Sequence, residues 1–178
     1  MADVTISDVM RAYAADAVAF AKRRFQMELD YSENSLADID RVLADYTKSG
    51  LVVEERLTPE QMEKHWIFCK MLGGYVGEVI IRNMGGTWQM KDIDENSSSV
   101  ALLAAGRIEG SPPQAVWRSL TELYKGGMAS YYRTLMVALG QGEESFQDGI
   151  RTLKLPPLSG QAPENKCPAN QKPWWKFW

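Results

Sequence analysis

Apolar and polar positions in the first fifty residues alternate with the period of an α-helix. One apolar stripe lies between Ser7 and about Met27 and consists of Met10, Tyr13, Ala14, Ala17, Ala21 and Phe25. A second stripe consists of Leu36, Ile39, Val42, Leu43 and Tyr46. Ser32 or Ser35 can cap the second segment, and Ser49-Gly50 can end it. The pattern predicts two helices that each bury one face.

The clearest helix start in the sequence is Thr58-Pro59-Glu60-Gln61. A hydroxyl cap precedes a proline, and an amide side chain follows where it can reach back to the cap. The apolar pattern then predicts one long helix that ends at Gly85-Gly86. Its interior contains Gly73, Gly74 and Gly77, which each cost about 1 kcal/mol relative to alanine in a helix. We therefore expect another backbone to approach this helix closely, or a bend at the glycines, with a ligand cradle as the alternative.

The segment after the double glycine has the alternation of a β-strand. Trp88 and Met90 alternate with polar residues, a polar turn follows from Asp94 to Ser98, and the apolar run 100–105 comes next. This pattern predicts an antiparallel hairpin. Two strands alone are marginal in water, so the hairpin must pack on helices or gain another strand, for which Leu51 to Val53 is a candidate.

Two further helices are predicted after the hairpin. Ser111-Pro112-Pro113-Gln114 repeats the capping pattern, and the helix that follows ends at Gly126-Gly127. The next apolar stripe is the most regular in the chain and consists of Met128, Tyr131, Tyr132, Leu135, Met136 and Leu139. One more short helix is predicted over 146–153, before Pro156-Pro157. The sequence thus predicts an α+β fold, in which residues 1–155 form a mostly helical single domain with a small antiparallel hairpin or short sheet between helices.

Residues 156–178 are rich in Pro, Gly, Asn, Gln and Lys and form a predicted flexible tail. The tail ends in an aromatic cluster of Trp174, Trp175, Phe177 and Trp178. Large aromatic side chains are typical of binding hot spots, so these four residues are the predicted partner-binding site. They could instead pack on their own domain or on a second copy of the chain. Contact with a membrane interface is disfavoured, because Lys172 and Lys176 are too few for a polybasic cluster.

Composition places the chain among ordinary globular proteins, with 178 residues and a formal net charge of −3. The acidic balance argues against a nucleic-acid partner. Two cysteines, Cys69 and Cys167, cannot build a disulfide framework, so a reducing compartment is expected. Neither a secretory signal nor an apolar stretch of about 18 residues occurs in the sequence. The expected location is the cytoplasm.

Few residues suggest chemistry. His65 and Cys69 are four apart on the long helix and could pair as base and nucleophile, but their apolar neighbours favour a buried thiol. They supply too few donors for a metal site, and no cofactor motif is present. Glu78 could be a polar group in a close-packed helix face, but the preferred interpretation is a solvated or arginine-paired residue near Arg82. The candidate ligand pocket therefore consists of His65, Cys69, Gly73, Gly77 and Glu78. Asp92-x-Asp94-x-Asn96 has part of a calcium-loop spacing, but a hairpin turn is the preferred interpretation.

Several pieces of the sequence resemble a pattern found in small bacterial cytosolic proteins of unknown function: 29–32, 74–80, Gly85-Gly86-x-Trp88 and 125–132. Some of those proteins resemble the immunity proteins encoded beside secreted toxins. The resemblance covers roughly residues 28–135 and implies no catalytic residues. The leading hypothesis is a non-enzymatic protein that binds and neutralises a toxin encoded nearby. The alternatives are an enzyme or small-ligand binder with a pocket near Gly73 to Glu78, and a self-associating structural protein.

Overall fold

A computed structural model describes residues 4–48, 57–94, 97–121 and 126–139. These residues form five helices and a three-stranded antiparallel sheet, which confirms the predicted α+β class. The elements are α1 Ile6–Phe25, α2 Leu36–Lys48, α3 Pro59–Met84, β1 Gly86–Asp94, β2 Ser97–Ala104, β3 Ile108–Gly110, α4 Pro112–Leu120 and α5 Gly127–Ala138. The predicted short helix over 146–153 and the tail over 156–178, with its four aromatic residues, lie outside the described residues.

Two capping boxes fix where the longest helices begin. Thr58 accepts from the backbone N–H of Gln61, and the Gln61 side chain accepts from the backbone N–H of Thr58, as the sequence predicts. Thr5 and Asp8 make the same reciprocal pair at the start of α1. Each box satisfies donors that have no partner within the helix.

The predicted cap at Ser111 is wrong. The Ser111 side chain makes no capping bond to α4, and its Oγ instead donates to the carbonyl oxygen of Val100 at 2.9 Å. Pro112 and Pro113 have no N–H group, so two of the four backbone donors in the first turn of α4 do not exist. The hydroxyl therefore ties the start of α4 to β2.

Ser35, one of the two predicted caps of α2, is also used elsewhere. Its hydroxyl donates to the carbonyl oxygen of Ser32 at 2.6 Å and lies 2.6 Å from the hydroxyl of Tyr75 in α3. The Tyr75 hydroxyl also accepts from the backbone N–H of Tyr31 at 2.8 Å. This small polar cluster anchors the segment before α2 on the central helix.

The glycines of α3 are the places where its neighbours approach it most closely. A Cβ on Gly73 would lie 2.5 Å from the backbone of Pro113 in α4, and one on Gly74 would lie 2.9 Å from the carbonyl oxygen of Met10 in α1. A Cβ on Gly77 would lie 2.1 Å from the ring of Trp88 in β1. The expected close approach is therefore present at all three glycines of α3.

The sheet has the order β1-β2-β3. Asp94 pairs with Ser97, so the two strands take up all but two residues of the predicted turn, and the register shifts between Asp92 and Asp94. The third strand among the described residues is Ile108–Gly110, which the sequence did not predict. Leu51 to Val53, the candidate for that role, lie outside the described residues.

One face of the hairpin extends beyond the core. Trp88 pairs with Leu102, and both are buried against the helices. Two residues further along, Met90 pairs with Val100 on the same face. Met90 is 52% exposed, so the apolar face of the sheet continues past the helix that covers Trp88.

The N-terminus of α5 is held from another helix. The first residue before α5 is Gly126, which has no side chain to donate or accept. Asp40 of α2 fills this role, because its carboxylate accepts from the backbone N–H of Met128 at 2.5 Å and of Ala129 at 3.3 Å. Burial raises the pKa of Asp40, and the two backbone bonds oppose that shift. α5 is thereby fixed on α2.

Candidate functional site

His65 and Cys69 lie on the buried side of α3. His65 is 4% exposed, and its Nδ1 lies 3.0 Å from the hydroxyl of Tyr46 in α2. Burial lowers the pKa of His65. Cys69 is fully buried, which raises the pKa of its thiol to about 12. A nucleophilic cysteine needs a lowered pKa, so the thiol and the imidazole here serve packing and one hydrogen bond.

Glu78 is a buried polar group in the close-packed face of α3. It is 6% exposed and accepts from the indole Nε1 of Trp88 at 3.0 Å. The interpretation of Glu78 as a solvated residue is therefore wrong. The guanidinium of Arg82 lies over the Tyr31 ring, 3.5 Å from its centre. The indole bond and the Gly77 contact together fix Trp88 on α3.

Four of the five residues of the candidate ligand pocket lie against three different elements. His65 contacts α2, Gly73 lies beneath α4, and Gly77 and Glu78 lie beneath β1. The side chains of His65 and Glu78 make hydrogen bonds between elements, and the glycines allow neighbouring elements to approach α3 closely. None of the five lines the groove described below.

No group of three or more His, Cys, Asp or Glu residues that could hold a metal ion occurs among residues 4–48, 57–94, 97–121 and 126–139. Asp92 and Asp94 of the calcium-like spacing lie in β1, where Asp92 pairs with Ser98 across the hairpin. Asn96 lies outside the described residues.

An open groove of about 450 Å³ lies where the exposed end of the hairpin passes the N-termini of α1 and α4. We call it the hairpin groove. Its lining is Val4, Thr5, Ile6, Val9, Met10, Tyr13, Trp66, Lys70, Met90, Ser98, Ser99, Val100, Ser111, Pro113 and Gln114. Cavities of roughly 300–1,000 Å³ bind drug-sized molecules, so the groove has room for more than one aromatic ring.

The hairpin groove is mainly apolar with a polar margin. Met90 and Val4 are 52% and 78% exposed, so large apolar side chains reach solvent here. Trp66 forms part of the wall and stacks on Trp117 of α4 with 5.2 Å between ring centres, which ties this wall to a second helix. Lys70 is the one lysine among the described residues of the lining, and burial lowers its pKa while Glu63 opposes the shift.

Sequence reasoning missed the hairpin groove, although one signal was available. The alternation that buries Trp88 continues to Met90, on the part of the strand that leads to the polar turn. An apolar residue at such a position is either exposed or covered by something else. Which other elements line the groove depends on how α1 and α4 pack on α3, and no local pattern encodes that packing.

Comparison with known proteins identifies no relative: no protein-family model, curated protein or solved structure matches the chain. Within the described part of the chain, no helix has the length and apolar character needed to cross a membrane.

Proposed function

We propose that the protein acts by binding another protein, without catalysis, through a surface centred on the hairpin groove. The observation that supports this proposal is the groove itself, in which Met90 and Val4 are exposed beside Trp66. Central apolar contacts surrounded by a polar margin are the usual anatomy of a protein interface. The titratable side chains that first suggested chemistry, His65, Cys69 and Glu78, are engaged in contacts within the fold.

The partner's chemistry follows from charge. Residues 156–178 contain three lysines and one glutamate, which gives them a net charge of +2. Because the whole chain has a net charge of −3, residues 1–155 have a net charge of −5. An acidic domain favours a partner with a basic surface that places a large apolar side chain in the hairpin groove. A toxin that acts on nucleic acid needs a basic surface to bind phosphates, and an acidic domain complements that surface. Together with the resemblance to bacterial immunity proteins, this supports toxin neutralisation as the specific role.

The first test is complex formation with the product of the gene adjacent to the one that encodes this chain. We expect co-purification, a measurable affinity by calorimetry, and protection of cells that express both proteins. No complex at micromolar concentrations together with no protection would remove the toxin-neutralising role. Measurement of the mass in solution shows whether the chain self-associates, as the structural alternative requires.

The second test places the contact in the groove. Met90→Ser removes an apolar side chain that the partner would cover, and burial at roughly 25 cal/mol per Å² predicts a loss of about 1 kcal/mol, or about fivefold in affinity. Ile67→Ser is the matched control, because Ile67 is similarly exposed at 46% but does not line the groove. Equal effects of both substitutions would place the interface elsewhere.

A further inference from the structure

The hairpin groove and the aromatic cluster at positions 174–178 have complementary chemistry. The lining of the groove is mainly apolar and includes Met90, Val9 and Trp66. The segment Lys172-Pro173-Trp174-Trp175-Lys176-Phe177-Trp178 offers four large aromatic side chains separated by lysine. Thioether and indole groups both make favourable contacts with aromatic rings. We propose that residues 174–178 bind in the hairpin groove of the same chain.

The length of chain between the two sites allows this contact. Leu139 is the last described residue, and 34 residues separate it from Trp174. At about 3.3 Å per residue the connection reaches roughly 110 Å, whereas a domain of this size has a radius of gyration of about 14 Å. The tail can therefore reach the groove from any point on the surface of the domain.

Charge favours the same contact. Asp8 lies next to Val9 of the lining, but its carboxylate accepts from Thr5 and already pairs with Arg11 at 3.3 Å. Asp92 is exposed two residues after Met90 on the same strand. Lys172 precedes the aromatic cluster and Lys176 lies within it, and both can face the exposed carboxylate of Asp92. The net charges of +2 for the tail and −5 for residues 1–155 act in the same direction.

Covalent connection favours the chain's own tail over the tail of a second copy. A tethered segment experiences an effective concentration of about 1 mM when its linker can span the distance. A second copy at micromolar concentration is about a thousandfold more dilute, so the intramolecular contact dominates. The tail would also shield its aromatic side chains and the exposed Met90 from solvent and from association.

This inference rests on the proposed function in one respect, the choice of the hairpin groove as a binding site. A partner that uses the groove must displace the tail, so its apparent affinity is reduced by the fraction of chains in which the groove is occupied. The tail thereby sets a threshold for partner binding. Because Met90→Ser weakens both contacts, its fivefold effect on partner affinity is expected in a chain without residues 174–178, where no tail competes for the groove.

The test uses the full chain with the photoreactive residue p-benzoylphenylalanine in place of Phe177. We expect irradiation to produce a crosslink within the monomer, which peptide mass spectrometry maps to the lining of the groove around Val9 and Met90. Crosslinks that map to other surfaces, a predominant crosslinked dimer, or no crosslink would each overturn the proposal. The experiment contains no partner, so its failure leaves the co-purification test unaffected, and failure of that test leaves this one unaffected.

A second measurement needs no unnatural residue. Hydroxyl-radical oxidation of the unmodified chain, read by mass spectrometry at Trp174, Trp175 and Trp178, should be slower than in the urea-unfolded chain. We expect Met90→Ser to lower the equilibrium constant for docking of the tail about fivefold, equivalent to about 1 kcal/mol. The fraction of chains with a docked tail then falls, and oxidation of the three tryptophans becomes faster. Ile67→Ser should leave the oxidation unchanged. Oxidation of the three tryptophans at the unfolded rate would contradict docking.

Discussion

At the residue scale, the contact between α3 and β1 depends on a pair in which one side chain is large and the other is missing. Trp88 is buried, and its six-membered ring occupies the space where a Cβ of Gly77 would lie. Its Nε1 donates to Glu78, the next residue of α3. The absence of a side chain at Gly77 therefore leaves room for the indole of Trp88, and the hydrogen bond to Glu78 fixes the orientation of the indole.

This pairing predicts the result of a double-mutant cycle. Gly77→Ala should lower the free energy of unfolding by about 1–3 kcal/mol, because the added methyl group overlaps the indole. The cost should fall in a Trp88→Phe background, since phenylalanine lacks the indole atoms Cζ2 and Cη2 that lie 2.1 and 2.2 Å from the added Cβ. Urea denaturation of the four proteins measures the coupling. Additive effects of the two substitutions would contradict the contact.

The sequence could predict the close approach to α3 at this scale but not the neighbours responsible. Glycines inside a long helix indicate that something replaces the lost helix propensity. The spacing of Gly73 and Gly77 does not say that one lies beneath a proline backbone and the other beneath an indole. Those identities depend on the three-dimensional arrangement of segments far apart in the chain.

At the element scale, the helix ends divide into local and distant caps. The Thr58 and Thr5 boxes lie within four residues of sequence, so the Thr58 box could be predicted from composition and spacing alone. The cap of α5 comes from Asp40, 88 residues from Met128. Sequence rules for capping examine neighbouring residues only, and so they could not find it.

Removal of this distant cap should destabilise the protein. Asp40→Ala leaves two backbone N–H groups of α5 without their acceptor and should lower the free energy of unfolding by about 1–2 kcal/mol. Asp40→Asn should cost less, because the amide oxygen still accepts and carries no charge into the half-buried site. Asp45→Ala, on an exposed position of the same helix, is the control for changes in α2 itself. Equal costs at positions 40 and 45, measured by thermal or urea denaturation, would show that the cap contributes little.

At the scale of the whole molecule, His65 links stability to pH. Burial lowers its pKa in the folded chain, whereas the unfolded chain takes up a proton near the ordinary value of about 6.5. Stability from the neutral imidazole is fully present above that value and is lost as the pH falls through it toward the folded pKa. Acidification therefore favours the unfolded chain.

The prediction is a difference between two pH profiles. Between pH 8 and pH 5 (about 1.5 units on each side of the ordinary histidine pKa), the free energy of unfolding should fall more for the unchanged chain than for His65→Gln. Carboxylates titrate in both proteins, so subtraction of the two profiles isolates position 65. Urea denaturation at several pH values provides the measurement. Parallel profiles would mean that His65 does not contribute to the pH dependence.

The sequence predicted the class of fold because helix and strand periods are local and strong in this chain. The order of the described elements follows from these patterns, except for β3, whose three residues are too few to show a period. The hairpin groove was not predictable, since its lining comes from α1, α3, α4 and the hairpin at once. The five candidate pocket residues share one helix, and the structure gives them different neighbours.

The close contacts at the glycines of α3 also limit how this protein could be made more thermostable. Replacing helix glycines with alanine is a standard engineering route, because it reduces the conformational freedom of the unfolded chain. On α3 the route is closed at Gly73, where the obstacle is the Pro113 backbone, which no change of rotamer can move away. Stabilisation must come from the exposed turns of the helix, such as the stretch from Glu60 to Lys64.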